Sequence, residues 1–358
     1  MELAAKPDWE LARKRTEAWW HGEVIDRVCL KVTAPRGPSP EETVPEGDLE
    51  AWWTDPEQVI PRLERRIENT FWGGEAFPVM FPTSTGIPAI TAAFLGSNLR
   101  FIDTRTAWCD PLIRDWSSRP PLHLDPENPW WRMNVTLLEA AARRAPGRYH
   151  VGLPDLNGPG EVLARLRGTE ELAFDLVDHP DEVTRAMVEV NRAWHEAWRA
   201  SWEVIHRHVD GWVFWMGTFS ALPATDLQCD FSIMISPGMF EEFFLGPLEE
   251  QTRWVERTIY HLDGPGAVRH LDALLGLPEL DGIQWVPGAG AAPMSAWVDL
   301  LRRIQDADKL VWANCTPREV PVLLRALRPE GLMLNTGCDT PGEAEDLLRL
   351  AAKLSARK

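Results

Sequence analysis

Four short apolar runs in the second half of the chain, Ile259 to His261, Gly282 to Trp285, Leu310 to Ala313 and Leu332 to Leu334, each give way to a helical segment. Continuous apolar runs of this length suit strands buried on both faces, and parallel neighbours need helical crossovers. The beat predicts an α/β fold with a parallel sheet, and its regularity suggests closure into a barrel. The first half repeats the alternation less cleanly. A helix is predicted from Trp9 to His21, then an apolar strand from Val28 to Val32 that ends at Pro35. Arg36 to Asp55 reads as a surface loop, Pro56 to Thr70 as helical, and Phe77 to Gly96 has no clean period. A strand near Tyr149 to Gly152 precedes Asn157-Gly158-Pro159-Gly160, a loop before a helix. Pro180 opens a long helix towards His208, Trp212 to Met216 is a short strand, and Ser236-Pro237 starts a helical stretch that passes Gly246-Pro247. At 358 residues the length fits one barrel with an extension or two smaller domains.

Charge narrows the partners. A net charge of −17 repels nucleic acid and anionic membranes, so the expected ligand is a small molecule, neutral or cationic, or an anion met by local arginines. No stretch approaches the ~20 apolar residues that span a bilayer, and Met1 to Arg15 is polar, so a cytoplasmic enzyme is expected. Five scattered cysteines read as free thiols or metal ligands. There is no phosphate-binding Gly-Lys-Ser/Thr loop and no strand-linked GxGxxG. An Asp-x-His-x-x-Gly corrinoid-binding segment is also absent, so a corrinoid would have to arrive on a separate protein.

Three strand ends concentrate the chemistry: His261-Leu262-Asp263-Gly264, Asn314-Cys315-Thr316-Pro317 and Gly337-Cys338-Asp339-Thr340-Pro341. Alternation along a strand lets His261 and Asp263 point to one side. With a thiol from a neighbouring strand they make an N, O, S cradle of the kind that holds a catalytic zinc. Thr316-Pro317-Arg318-Glu319 and Thr340-Pro341-Gly342-Glu343 read as helix starts, which places both cysteines in strand-to-helix loops where a helix N-terminus favours the thiolate. The plainer reading has His261 bonded to backbone, Asp263 capping the Gly264-Pro265-Gly266 turn, and Cys338 as a structural thiol.

Tryptophan is unusually common, 19 residues against 2 tyrosines, and most of it should be packing. Trp212, Trp215, Trp285 and Trp312, at strand ends, are candidates to line a substrate pocket for an aromatic ring or a methylated ammonium group. Asp226 and Asp230, in the loop expected after the Trp212 strand, are either substrate-binding carboxylates or loop solvation. His270 and Asp272 are expected at a helix surface, and His206 and His208 at a helix C-terminus.

Asn157-Gly158-Pro159, Leu166-Arg167-Gly168-Thr169-Glu170, Asp178-His179-Pro180-Asp181-Glu182-Val183 and Ile235-Ser236-Pro237-Gly238-Met239-Phe240-Glu241-Glu242-Phe243 resemble, in order and spacing, landmarks of the uroporphyrinogen decarboxylase superfamily. The resemblance implies a (β/α)8 TIM barrel as one domain over residues 1–358, with residues 1–25 as a helical extension. The superfamily holds porphyrin decarboxylases and zinc-dependent methyltransferases that work with corrinoid proteins and thiols such as coenzyme M. The methyltransferase branch has His-x-Cys at one strand end and a later Gly-Cys before a Thr-Pro helix start. His261 and Cys338 match, while Asp263 stands where the first cysteine is expected. Zinc on His261, Asp263 and Cys338 is what this resemblance implies, with a harder and more Lewis-acidic site than two thiolates give, or else a metal-free one. The segment Asp26-Arg27-Val28-Cys29-Leu30-Lys31 does not reproduce the decarboxylase branch's carboxylate-binding stretch.

Three functions follow as expectations. The first is metal-dependent methyl transfer between a small methylated substrate or thiol and a separate corrinoid protein. The second is metal-free decarboxylation, with Asp263 or Asp230 as the proton-transfer group. The third is a non-catalytic partner in a corrinoid system.

Overall fold

The computed structural model describes residues 2–38, 48–83 and 90–355. Its strands, in chain order, are β1 (Cys29–Pro35), β2 (Thr70–Gly74), β3 (Val79–Met80), β4 (Leu99–Phe101), β5 (Ala107–Cys109), β6 (His150–Val151), β7 (Trp212–Phe214), β8 (Thr218–Ser220), β9 (Ala224–Gln228), β10 (Arg257–Asp263), β11 (Gly282–Val286), β12 (Leu310–Asn314) and β13 (Leu332–Gly337). The apolar runs of the second half are β10 to β13, separated by helical crossovers that include Val298–Asp306 and Val320–Ala326. They belong to a seven-stranded sheet in the order β2-β1-β13-β12-β11-β10-β9. Every pairing from β9 round to β1 is parallel, and only β2 runs antiparallel, against β1. The C-terminal ends of six strands therefore gather along one rim, where loops carry chemistry in folds of this class.

Shorter pairs complete the sheet structure: β3 with β6, β4 with β5, and β7 with β8. A backbone hydrogen bond of 2.8 Å from Leu153 N–H to the Val213 carbonyl ties the exit of β6 to β7. The expected strand from Trp212 to Met216 is half of a hairpin, turning at Trp215 to Gly217 and returning as β8 before β9 begins. The segment carrying Asp226 is thus a fully buried strand, Asp226 included, because β9 is covered by β10 on one edge. The loop reading for Asp226 is corrected by this pairing.

The expected loop from Arg36 to Asp55 lies partly outside the described residues, at 39–47. Its last part is the helix Leu49–Thr54, because the Asp48 carboxylate accepts the Ala51 N–H and Trp52 and Trp53 are buried. The unassigned stretch from Phe77 to Gly96 holds β3 and the helix Ile90–Phe94, with residues 84–89 outside the description.

Most tryptophans pack the layer between sheet and helices. Trp212 is stacked between Trp198 and Trp202 of the helix Pro180–His206, with centroid separations of 4.6 and 4.0 Å. Trp285 is fully buried against Trp297. Strand alternation explains this: Gln284 faces His261, so its neighbour Trp285 faces the opposite side. Neither indole is disposed as the pocket lining expected of it.

A buried ion pair joins the sheet's edge to its interior. Both guanidinium nitrogens of Arg27 lie 2.7 Å from the Glu75 carboxylate, which also accepts the Leu30 N–H at 2.7 Å. Leaving such a charge without its partner in a dry site costs about 3–5 kcal/mol. Glu75→Ala should lower unfolding free energy by about that amount, read from the urea denaturation midpoint; a loss below ~1 kcal/mol would show the pair to be dispensable.

Candidate metal centre

Register on the rim decides which side chains meet. In β10 His261 is level with Gln228 of β9 and Gln284 of β11, and Asp263 lies two residues further along the same face. Asp230 follows β9 by two residues and curls back over this edge. One ligand atom from each of Asp230, His261 and Asp263 falls within 4.8 Å of the others. Donors on a tetrahedral ion with ~2.1 Å bonds stand roughly 3.4 Å apart, so side-chain rotation can close the triad on one ion. His261 Nδ1 donates to Gln284 Oε1 at 2.5 Å, which leaves Nε2 with its lone pair. The hydrogen bond to a side chain, rather than to backbone, replaces the plainer reading of this histidine. Among the described residues no hydrogen bond links the Asp263 carboxylate to the Gly264-Pro265-Gly266 turn.

More carboxyl groups stand behind this edge. Asp155, beyond β6, accepts from Asn157 N–H at 3.1 Å and from Gln228 Nε2 at 3.0 Å. Burial pushes its carboxyl up to about 6. Glu161, on the first turn of the helix Pro159–Arg167, accepts the Asp230 N–H, and burial together with the Asp230 charge pushes it up to about 8. Asp226 is raised to about 8 by burial and then by Asp155. Asp230 is raised by burial, lowered by His261 and raised by Asp263. Among the described residues no lysine or arginine forms an ion pair with any of these five acids. Gly158 lets the Asn157 loop press against β9: a Cβ there would sit 1.8 Å from the Gln228 carbonyl oxygen.

The remaining sequence candidates are spread more widely. Cys338 lies outside the Asp230–His261–Asp263 group. Its N–H donates to the Thr33 carbonyl at 2.8 Å, and its side chain lines a cleft of about 760 Å³ with Arg318 and Glu343. β13 is three positions from β10 in the sheet, about 14 Å at ~4.8 Å per strand, while β9 is adjacent. The expected thiolate is not favoured either. Burial, Glu343 and Asp339 raise the Cys338 thiol, and burial with Glu319 pushes Cys315 up to about 12.

Trp312 is buried, its indole N–H donating to Thr218 Oγ1 at 3.1 Å. Trp215 stands edge-on to His261 at 5.1 Å. His270 is buried with Nε2 2.9 Å from the Ser232 carbonyl, contrary to its expected surface position, because the 265–270 turn folds inward; Asp272 is exposed and paired with Arg303. His208 lies 3.5 Å from Glu139 at the end of its helix.

Sequence reasoning passed over Lys31, although a lone lysine inside the run Val28 to Val32 marks it. Its Nζ donates to the Met216 and Gly217 carbonyls at 2.6 Å each and sits 5.3 Å above the Trp312 ring. Burial lowers its pKa to about 7. Glu161 and Asp155 were missed as well; only their places after Asn157 and β6 hinted at the rim. Arg27, the arginine nearest the expected carboxylate-binding stretch, is taken up by Glu75.

No family model and no curated protein matches the chain. Its fold is similar to that of a methyltransferase from Methanosarcina mazei, with a TM-score of 0.61 at 13% identity over 96% of this chain and 98% of that one. At that identity the likeness shows a shared α/β architecture. Among the described residues no helix is long and apolar enough to cross a membrane.

The raised carboxyls give the metal-free protein a pH signature. Asp226 and Glu161 bind their protons more tightly folded than unfolded, so their contribution is whole below about pH 4 and disappears as pH rises through about 8. The melting temperature should fall between pH 5 and pH 8, and Asp226→Asn should flatten that fall and melt higher than the parent at pH 8. An unchanged slope in the variant would remove Asp226 from the cause.

Proposed function

We propose that the chain is a zinc-dependent methyltransferase, moving a methyl group between a small methylated substrate or thiol and a corrinoid carried on a separate protein. The observation that carries this reading is the convergence of Asp230, His261 and Asp263 on the rim. A nitrogen and two carboxylates form a donor set zinc accepts, with room for a further ligand. Cys338, the thiol matched by resemblance, yields its place in this proposal to Asp230. The finer architecture we propose is a (β/α)8 barrel with residues 1–25 as its extension, β3, β6 and β7 bridging the two ends of the seven-stranded sheet; the Leu153–Val213 hydrogen bond favours this.

Zinc bound there would supply a Lewis acid that lowers a thiol's pKa or polarises a methyl donor. The protein's own residues do the rest. Gln284 holds the His261 ring through its Nδ1–H, which leaves Nε2 as the atom with a lone pair for a metal. Trp215 covers one edge of that ring and narrows the access of water. Glu161 keeps a proton near neutrality close to Asp230, and Asp226 keeps one close to Asp155. Those held protons also favour a second reading, metal-free decarboxylation with Asp230 or Asp263 as the proton-transfer group.

Elemental analysis of untagged protein separates the two. About one zinc per chain is expected, lost in His261→Ala, Asp230→Ala and Asp263→Ala and kept in Cys338→Ala. Zinc lost from Cys338→Ala but kept in Asp230→Ala would return the thiol to the ligand set. Parent protein free of metal, even after incubation with zinc, would sink the methyl-transfer reading.

A further inference from the structure

The five acids at the rim lack a lysine or arginine partner among the described residues, and a single divalent ion on Asp230 and Asp263 leaves Asp155, Glu161 and Asp226 neutralised only by the protons that burial keeps on them. An anionic substrate would find no lysine or arginine among these groups to meet it, whereas a cation would draw the protons off Asp226 and Asp155 and pair with the carboxylates left behind. Beside this acidic edge stands an independent aromatic feature. Trp215 is in contact with three surroundings at once: its edge meets His261 at 5.1 Å, it lies beside Asp226, and it forms a wall of a cleft of about 310 Å³. Trp72, Phe81 and Met80 line the same cleft. A volume of that order suits a small organic molecule. The buried ammonium of Lys31, two residues from Trp215 through the Gly217 carbonyl, is already satisfied by two backbone oxygens and does not pair with the acids. Arg66, on the helix Pro56–Glu68, is exposed and lines the same cleft.

We infer that the organic substrate is a methylated ammonium ion, its charged head seated against Trp215 with Asp226 and Asp155 behind it and its remainder lying in the cleft. Aromatic faces attract a quaternary ammonium through the ring quadrupole, and nearby carboxylates add attraction without needing a hydrogen-bond donor. The inference deepens the methyl-transfer reading and rests on it for the fate of the methyl group. In that transfer the C–N bond breaks with its electron pair left on nitrogen as a neutral amine. The methyl is taken by the cobalt(I) of the partner-borne corrinoid, which becomes cobalt(III) as the Co–C bond forms, and no proton is exchanged.

Calorimetric titration tests it with tetramethylammonium, choline and 3,3-dimethylbutan-1-ol, the uncharged carbon isostere of choline, on zinc-loaded and metal-free protein. Choline should bind at least about 10-fold tighter than the isostere. Trp215→Leu and Asp226→Asn should each lose about 10-fold, whereas Trp215→Phe, which keeps a ring face, should lose less. Equal affinity for choline and its isostere, binding of neither ammonium ion, or full affinity in Trp215→Leu would overturn the inference. Because a quaternary ammonium has no lone pair to ligate metal, this outcome is separable from the zinc result. Choline held through Trp215 by a protein that takes up no zinc would leave the inference standing and remove the metal, and the reverse pattern would do the opposite.

Discussion

The parallel hydrogen bonding that runs without a break from β9 to β1 is the constraint on which the rest depends. It sets His261 level with Gln228 on one side and Gln284 on the other, so an imidazole is flanked by two amides. Each amide then has one task. Gln284 accepts a hydrogen bond from the His261 Nδ1–H, and Gln228 donates one to Asp155. A slip of one residue in β10 would turn His261 and Asp263 into the opposite layer and bring Leu262 to the rim. Such a slip would also leave the His261 imidazole and the Asp263 carboxylate in the place of the buried Tyr260 and Leu262, a cost that holds the register.

Buried charge is handled in two different ways in this molecule. At the sheet's edge Glu75 is neutralised by Arg27, with Arg15 at 3.5 Å, and the arrangement is closed. At the rim the carboxyls are left without cations and retain protons instead. Structural acids are paired because an unpaired charge destabilises the fold, while buried acids without a cation keep their protons, a pattern that clusters at functional sites. The contrast between Glu75 and Asp226 sets the scaffold apart from the site more sharply than burial alone does.

The later half of the fold was legible because its signals are local. Short apolar runs gave β10 to β12 within a residue or two and the start of β13, whose end lies three residues further on, and strand alternation placed His261 and Asp263 on one face. Asp230 was visible as a carboxylate but not as a neighbour of His261. Its position depends on the β7–β8 hairpin, whose return strand hides the start of β9, and on a sheet order that no single segment encodes. Cys338 is the opposite case: its strand and helix start were legible, while the place of its strand, three positions from β10, was not. Lys31 was hidden in an apolar run, since its partners are backbone carbonyls from a turn far along the chain.

The union of β1 with β13 bears on how the chain comes to its final form. Cys29 is hydrogen-bonded across from Met333, so the earliest strand to leave a ribosome waits for the latest one before its edge is covered. Until then β1 exposes an unpaired edge, a template for aggregation during synthesis. The antiparallel β2, made soon after β1, can shield its other edge in the meantime. A chain that stops short of β13 would therefore leave the β13 side of β1 open for good, however well the preceding strands had formed.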